Sequence, residues 1–137
     1  MSARPAIACL GAGRMGRGIA VAFAYAGHDV AIVDFKARDA DKFKALELEA
    51  IGEIRKTFAS MARFDLLKET DIETLVSRVS VVRESGAGAA LSSSAIIFEG
   101  VPEVLEHKRE ALARASQLAG PTPVSYTHLT LPTILRV

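Results

Sequence analysis

The chain has 137 residues, half of them hydrophobic and 24% charged, with 17 Lys and Arg against 16 Asp and Glu. This is the composition of one ordinary globular domain, and its balanced charge, with no basic excess and no block of like charge, points away from nucleic acid as a partner. No apolar run reaches the roughly 18 residues of a membrane helix, because Arg14 and Arg17 break the amino-terminal one, and no basic region with a cleavage site marks a secretory signal.

"AIACL" (6–10) is a short apolar run of the kind that a strand buried on both faces produces. Cys9, the single cysteine, falls inside it and reads as a small buried hydrophobe; it makes no internal disulfide and fits a reducing, cytoplasmic setting. From Met15 to Ala26 small and apolar residues predominate, as in a helix packed closely on a sheet, and Gly27 stands where a C-cap glycine would end it. "DVAIVDF" (29–35) is a second buried strand, which completes a βαβ unit. Phe43, Leu46, Ala50, Ile51, Ile54, Phe58 and Met61 then recur every three or four residues, which predicts an amphipathic helix from Arg38 to about Met61. "ETDIETLVSRV" (69–79) predicts a shorter helix, with Thr70 as N-cap and Glu73 in capping-box spacing. "RVSVV" (78–82) reads as the third strand, so roughly 40 residues join strands two and three where a dozen would suffice. "ESGAGAALSSS" (84–94) is a loop or a short weak helix, and "AIIFE" (95–99) is the fourth strand. A helix follows over 101–119, with Pro102 in its first turn and Gly120 and Pro121 at its end, and "PTPV" opens a fifth strand. The predicted fold is α/β, a doubly wound parallel sheet, incomplete, in strand order 3-2-1-4 and then 5.

Gly11, Gly13 and Gly16 form a GxGxxG pattern that directly follows the first strand and directly opens a helix. The second strand ends in Asp34, 18 residues after Gly16, which is the context a dinucleotide fingerprint requires. Gly11 permits a tight turn, Gly13 lets the backbone approach a pyrophosphate, and Gly16 lets helix and strand pack closely. The helix N-terminus offers unpaired N–H groups to the phosphates. Asp34 is placed to accept from both ribose hydroxyls and to repel a 2′-phosphate, which favours NAD over NADP; Lys36 and Arg38 stand close enough in sequence to soften that exclusion. His28 and His107 read as surface residues, His128 lies in an atypical tail, no His/Cys/carboxylate cluster has metal-ligand spacing, and no nucleophile elbow appears.

The stretches "IACLGAGRMGRGIAVAFAYAGHDVAIVDF", "KALELEAIGEIRKTFASM" and "IIFEGVPEVLEHKREAL" resemble the N-terminal, NAD-binding domain of the 3-hydroxyacyl-CoA dehydrogenase family, over about residues 5 to 124. The resemblance implies a Rossmann-type domain over 1–124, with Gly11, Gly13, Met15 and Gly16 lining the pyrophosphate, Asp34 on the adenosine ribose, and Glu103 and Lys108 reaching the nicotinamide side. Val104 departs from the Asn frequent after this Glu. The implied reaction is hydride transfer between NAD and the 3-hydroxyl carbon of an L-3-hydroxyacyl-CoA in a homodimer, with the long helix pair helping to hold coenzyme A; Lys56 and Arg63 are available there. After "AGPTPV" the chain runs "SYTHLTLPTILRV", without the small polar stretch and the His-Phe-x-Asn-Pro setting of the family's catalytic histidine. Residues 125–137 are therefore expected to be a non-native tail resembling library or vector read-through. No catalytic residue is nominated, the C-terminal catalytic and dimerisation domain is expected to be missing, and the fragment alone is expected to be inactive. A related hydroxy-acid dehydrogenase of gulonate or carnitine type, or a non-catalytic NAD(H)-binding module, would share this cofactor half.

Overall fold

Five parallel strands form one sheet, the first four with apolar side chains on both faces, and helices cover each face. The structure is a computed structural model and describes residues 4–99, 105–119 and 124–126. In chain order the elements are β1 (Ala6–Leu10), α1 (Arg14–Tyr25), β2 (Val30–Asp34), α2 (Ala40–Arg63), a 3₁₀ turn (Glu69–Asp71), α3 (Ile72–Ser77), β3 (Val79–Arg83), α4 (Glu84–Ser92), β4 (Ser94–Glu99), α5 (Leu105–Ala119) and β5 (Val124–Tyr126). The sheet order is β3-β2-β1-β4-β5 and every pairing is parallel, as the sequence predicts.

Strand alternation divides the core in two. Ile7, Cys9, Val30, Ile32, Val79 and Val81 face α1, α2 and α3, where Ala20, Ala24, Ala50, Ile54, Phe58, Leu75 and Val76 close over them. Ala8, Leu10, Val33 and Ile97 point the other way, against Ala87 and Leu91 of α4. Complete burial of side chains such as Phe58, Ile7 and Leu10 contributes on the order of 1.5–3 kcal/mol each. The i,i+4 pair Ala87 and Leu91 also resolves residues 84–94: the small residues form a helix because one side of it seals the second core layer.

Two helix ends differ from expectation. No capping box forms at Thr70; residues 69–71 make a 3₁₀ turn without a side-chain cap, and Glu73 instead takes a two-pronged ion pair from Arg55 of α2, at 2.8 and 3.0 Å. That pair holds Glu73 below its usual carboxylate range and raises Arg55, at the protein surface. Asp39, unremarked in the sequence pattern, caps α2 by accepting the Lys42 N–H at 2.8 Å. The end of α1 conforms to expectation. Gly27 has φ +101°, its N–H donates to Ala24, the His28 N–H donates to Phe23, and the His28 ring packs edge-on against Phe23. This is a Schellman motif with its hydrophobic contact, and it gives His28 a structural role, with Nδ1 2.7 Å from the Pro5 carbonyl.

Candidate functional site

The sheet order reverses between β1 and β4, and the carboxyl ends of strands at such a reversal are where open α/β sheets bind ligands. Leu10 pairs in register with Glu99, so the glycine turn after β1 opens directly beside the end of β4. Arg17, Asp34 and Glu99, three of the four buried polar or charged side chains among the described residues, gather around this edge. Burying charge is costly unless it is paired, so such a concentration marks the edge as more than scaffold.

Each glycine of the turn has a distinct physical reason. Gly11 has φ +101°, where L side chains are strained, and its N–H donates to the Val33 carbonyl at 2.8 Å, which ties the turn to β2. A Cβ on Gly16 would stand 2.3 Å from the Gly11 carbonyl oxygen, so only glycine lets α1 start this close to the turn. Gly13, by contrast, faces open space: nothing lies within 4 Å of where its Cβ would be. It is also the N-cap of α1 and has no side chain with which to cap it, and no acidic residue occupies the first turn. The start of α1 thus carries neither a capping side chain nor an acidic residue of its own, which suits a bound anion. Met15, half-buried, lies on that first turn.

Arg17 is the residue that sequence reasoning missed. It is 9% exposed and donates from Nε to the Ala12 carbonyl inside the turn at 2.9 Å. The same guanidinium pairs with Glu53 and, at 3.4 Å, with Glu49, both on α2. One side chain therefore ties the glycine turn to the middle of the inserted helix. In the sequence it reads only as a charge interrupting an apolar stretch; the Glu49–Glu53 spacing on one face of a helix was the available signal.

At the end of β2, Asp34 is 6% exposed. Its Oδ2 accepts from Arg38 Nε at 2.8 Å, and its Oδ1 accepts the Lys36 backbone N–H at 3.3 Å. A carboxylate has about four acceptor positions, so capacity remains for ribose hydroxyls. Arg83 stands opposite Asp34 in the β2–β3 register, donates to the Arg38 carbonyl at 2.6 Å and lies over the Phe43 ring.

The remaining candidates scatter. Glu103 and His128 lie outside the described residues; Lys108 and His107 are on α5, and their side chains are likewise outside the description. Arg63, in the last turn of α2, donates to Ser60 Oγ at 2.9 Å. Cys9 is buried in β1, and burial pushes its thiol up to about 12, so it is an unreactive core residue. Among the described residues no group of three or more His, Cys, Asp or Glu is arranged to hold a metal, and no helix is long and apolar enough to cross a membrane. A cavity of about 800 Å³ lined by Tyr25, Leu66, Lys68, Leu75 and Arg78 lies at the far end of α1, roughly 16 Å along that helix from the turn.

The comparisons agree with this geometry. The model of the 3-hydroxyacyl-CoA dehydrogenase, NAD binding domain, matches residues 6–128. No curated protein matches the chain. Among solved structures, (S)-3-hydroxybutyryl-CoA dehydrogenase PaaH1 from Ralstonia eutropha superposes with a TM-score of 0.76 at 21% identity, covering 90% of this chain and 40% of that one. The 3-hydroxybutyryl-CoA dehydrogenase from Escherichia coli gives 0.74 at 28% identity, over 90% of this chain and 24% of the other. FadB2 from M. tuberculosis gives 0.75 at 21%, over 92% and 41%. The chain thus spans at most about two fifths of these enzymes. With the match running over nearly its whole described length, and with the fingerprint built as that match requires, the chain belongs to the family of 3-hydroxyacyl-CoA dehydrogenase NAD-binding domains, whose cofactor is NAD.

Proposed function

We propose that this chain is the cofactor half of an enzyme that moves a hydride between NAD and the 3-hydroxyl carbon of an L-3-hydroxyacyl-CoA. The observation that carries the reading is the contrast within the glycine turn: Gly16 is sealed against Gly11, whereas Gly13 opens onto free space at an uncapped helix start. Gly11, Gly13, Met15 and Gly16 hold the pyrophosphate with backbone N–H groups and the positive end of α1. Asp34 accepts from the adenosine ribose, and Glu103 and Lys108 serve the nicotinamide end, on the strength of the family likeness. NAD, when bound, supplies the hydride acceptor. The described part of the chain binds and orients; its contribution to rate is positioning. By the same likeness the full enzyme takes an acyl-CoA substrate and works as a homodimer. We assign it to the cytoplasm, where a lone buried thiol stays reduced.

Gly13→Asp tests this reading while sparing the fold. Its backbone (φ −80°) accepts any residue, the position is open, and aspartate is a strong N-cap. We expect melting at or above the wild-type temperature together with loss of NADH binding, by about 100-fold or more, because a carboxylate then occupies the anion site. Titration by nicotinamide fluorescence reads it; unchanged NADH affinity in a folded Gly13→Asp chain would refute the assignment.

A further inference from the structure

Resting on the dinucleotide reading above, we propose that Arg38 sets cofactor choice: by pairing with Asp34 it opens the ribose end of the site to a 2′-phosphate, so that the chain accepts NADP(H) alongside NAD(H). An acidic residue at the end of β2 selects against a 2′-phosphate by charge repulsion, and that selection needs the carboxylate charge to be uncompensated. In this chain it is compensated. Asp34 has its side chain only 7% exposed and holds the Arg38 guanidinium at 2.8 Å, so a full positive charge stands directly against the carboxylate.

The guanidinium can serve either ligand. It spends Nε on Asp34, and the planar fork carries further N–H donors suited to gripping a phosphate in two-pronged fashion. Its side chain is 26% exposed, so part of it reaches solvent while Nε stays on Asp34. The Arg38 backbone is held where it is, because Arg83 of the neighbouring strand donates to its carbonyl at 2.6 Å. Arg83 brings a second cation to the same edge, in register with Asp34. The nearest further carboxylate along the chain, Asp39, is turned to the start of α2, where it accepts the Lys42 N–H. With a plain ribose, Asp34 accepts from the hydroxyls while still bound to Arg38; with a 2′-phosphate, Arg38 keeps Nε on Asp34 and offers its terminal N–H groups to the phosphate, so that the cation stands between the two anions.

The test is a pair of titrations of the 137-residue chain, with NADH and NADPH, and competition by ADP and 2′,5′-ADP to confine the effect to the adenosine end. Wild type should bind NADPH within about tenfold of NADH. Arg38→Gln should weaken NADPH and 2′,5′-ADP by about 10- to 100-fold, the range for one charge-assisted hydrogen bond, while NADH and ADP move less than about threefold. Arg38→Lys, which keeps the charge and loses the fork, should recover part of the NADPH affinity. A wild-type preference for NADH beyond tenfold, or an Arg38→Gln variant that weakens both dinucleotides alike, overturns the proposal and leaves the NAD site standing. Failure of a cooperatively melting wild-type chain to bind either dinucleotide overturns the underlying reading as well. Arg38 lies outside the core, so a thermal melt of each variant suffices to establish that it is folded.

Discussion

Gly16 and Gly52 are both helical glycines, yet an added methyl group would meet opposite fates at the two positions. At the start of α1 it would collide with the Gly11 carbonyl at 2.3 Å; midway along α2 it would meet nothing within 4 Å. The same contrast runs through the two regions that contain them. The glycine turn is fixed by backbone on backbone, with Gly11 tied to Val33 and Gly16 pressed against Gly11. The inserted helix is fixed by one apolar stripe, Ala50, Ile54 and Phe58, and by Arg17 reaching across to Glu53. Gly11 and Gly16 therefore tolerate almost no change of residue type, whereas the long helix asks mainly for the right period and a partner for Arg17.

Substitution experiments can break or sharpen this contrast. Gly16→Ala should have the largest effect, a loss of about 3 kcal/mol or more, since the contact is to backbone that cannot yield cheaply. Urea unfolding reads it, and a loss below about 1 kcal/mol would show that the turn is softer than its contacts imply. Arg17→Met keeps the apolar stem but leaves the Ala12 carbonyl without its donor and frees α2, at a cost of about 1–2 kcal/mol. If the tie holds the turn in shape, NADH affinity should fall too, while Glu53→Gln, at the exposed end, should cost less. Cys9 sharpens the core side of the comparison. Its thiol is raised from 9.0 to about 12 by burial, so the native state keeps a proton that the unfolded chain loses. Stability should thus be level below pH 9 and fall above it by roughly 1.4 kcal/mol per pH unit until about pH 12. Urea melts of wild type and Cys9→Ala at pH 8 and pH 10 check this, the variant being expected to lack that part of the alkaline loss. Gly52→Ala should have the smallest effect and the opposite sign, a gain of about 0.5–1 kcal/mol from helix propensity alone.

Legibility in the sequence followed the same division. The strand order, the turn and the acidic end of β2 were readable because they depend on residue types at fixed spacing: three glycines, two apolar runs and Asp34. The long helix was readable from its period, and its hold on the turn was not, because Arg17 is more than thirty residues from Glu49 and Glu53 and all three are ordinary in kind. Thr70 and Glu73 show the reverse error. Their spacing satisfied a capping box, but Arg55, 18 residues earlier on α2, offered Glu73 a charged partner at 2.8 Å and the local pattern lost. The Asp34–Arg38 pair lay between these cases: adjacency was visible, and the engagement of one by the other required the fold.

The insertion is also fastened at the other end of α1. Tyr25 donates its hydroxyl to the Leu66 carbonyl at 2.7 Å, and Arg78, beyond α3, donates to the Ala24 carbonyl at 2.9 Å. Together with Arg17, these bonds pin α1 to the added segment at both its head and its tail. A segment so fastened cannot be pared back to the dozen residues a minimal crossover needs without unmooring the helix whose first turn faces the cofactor. Engineering that shortens or grafts this region therefore has to keep the attachments at Leu66, Arg78 and Glu53, since losing any of them loosens the helix that leads to the dinucleotide site.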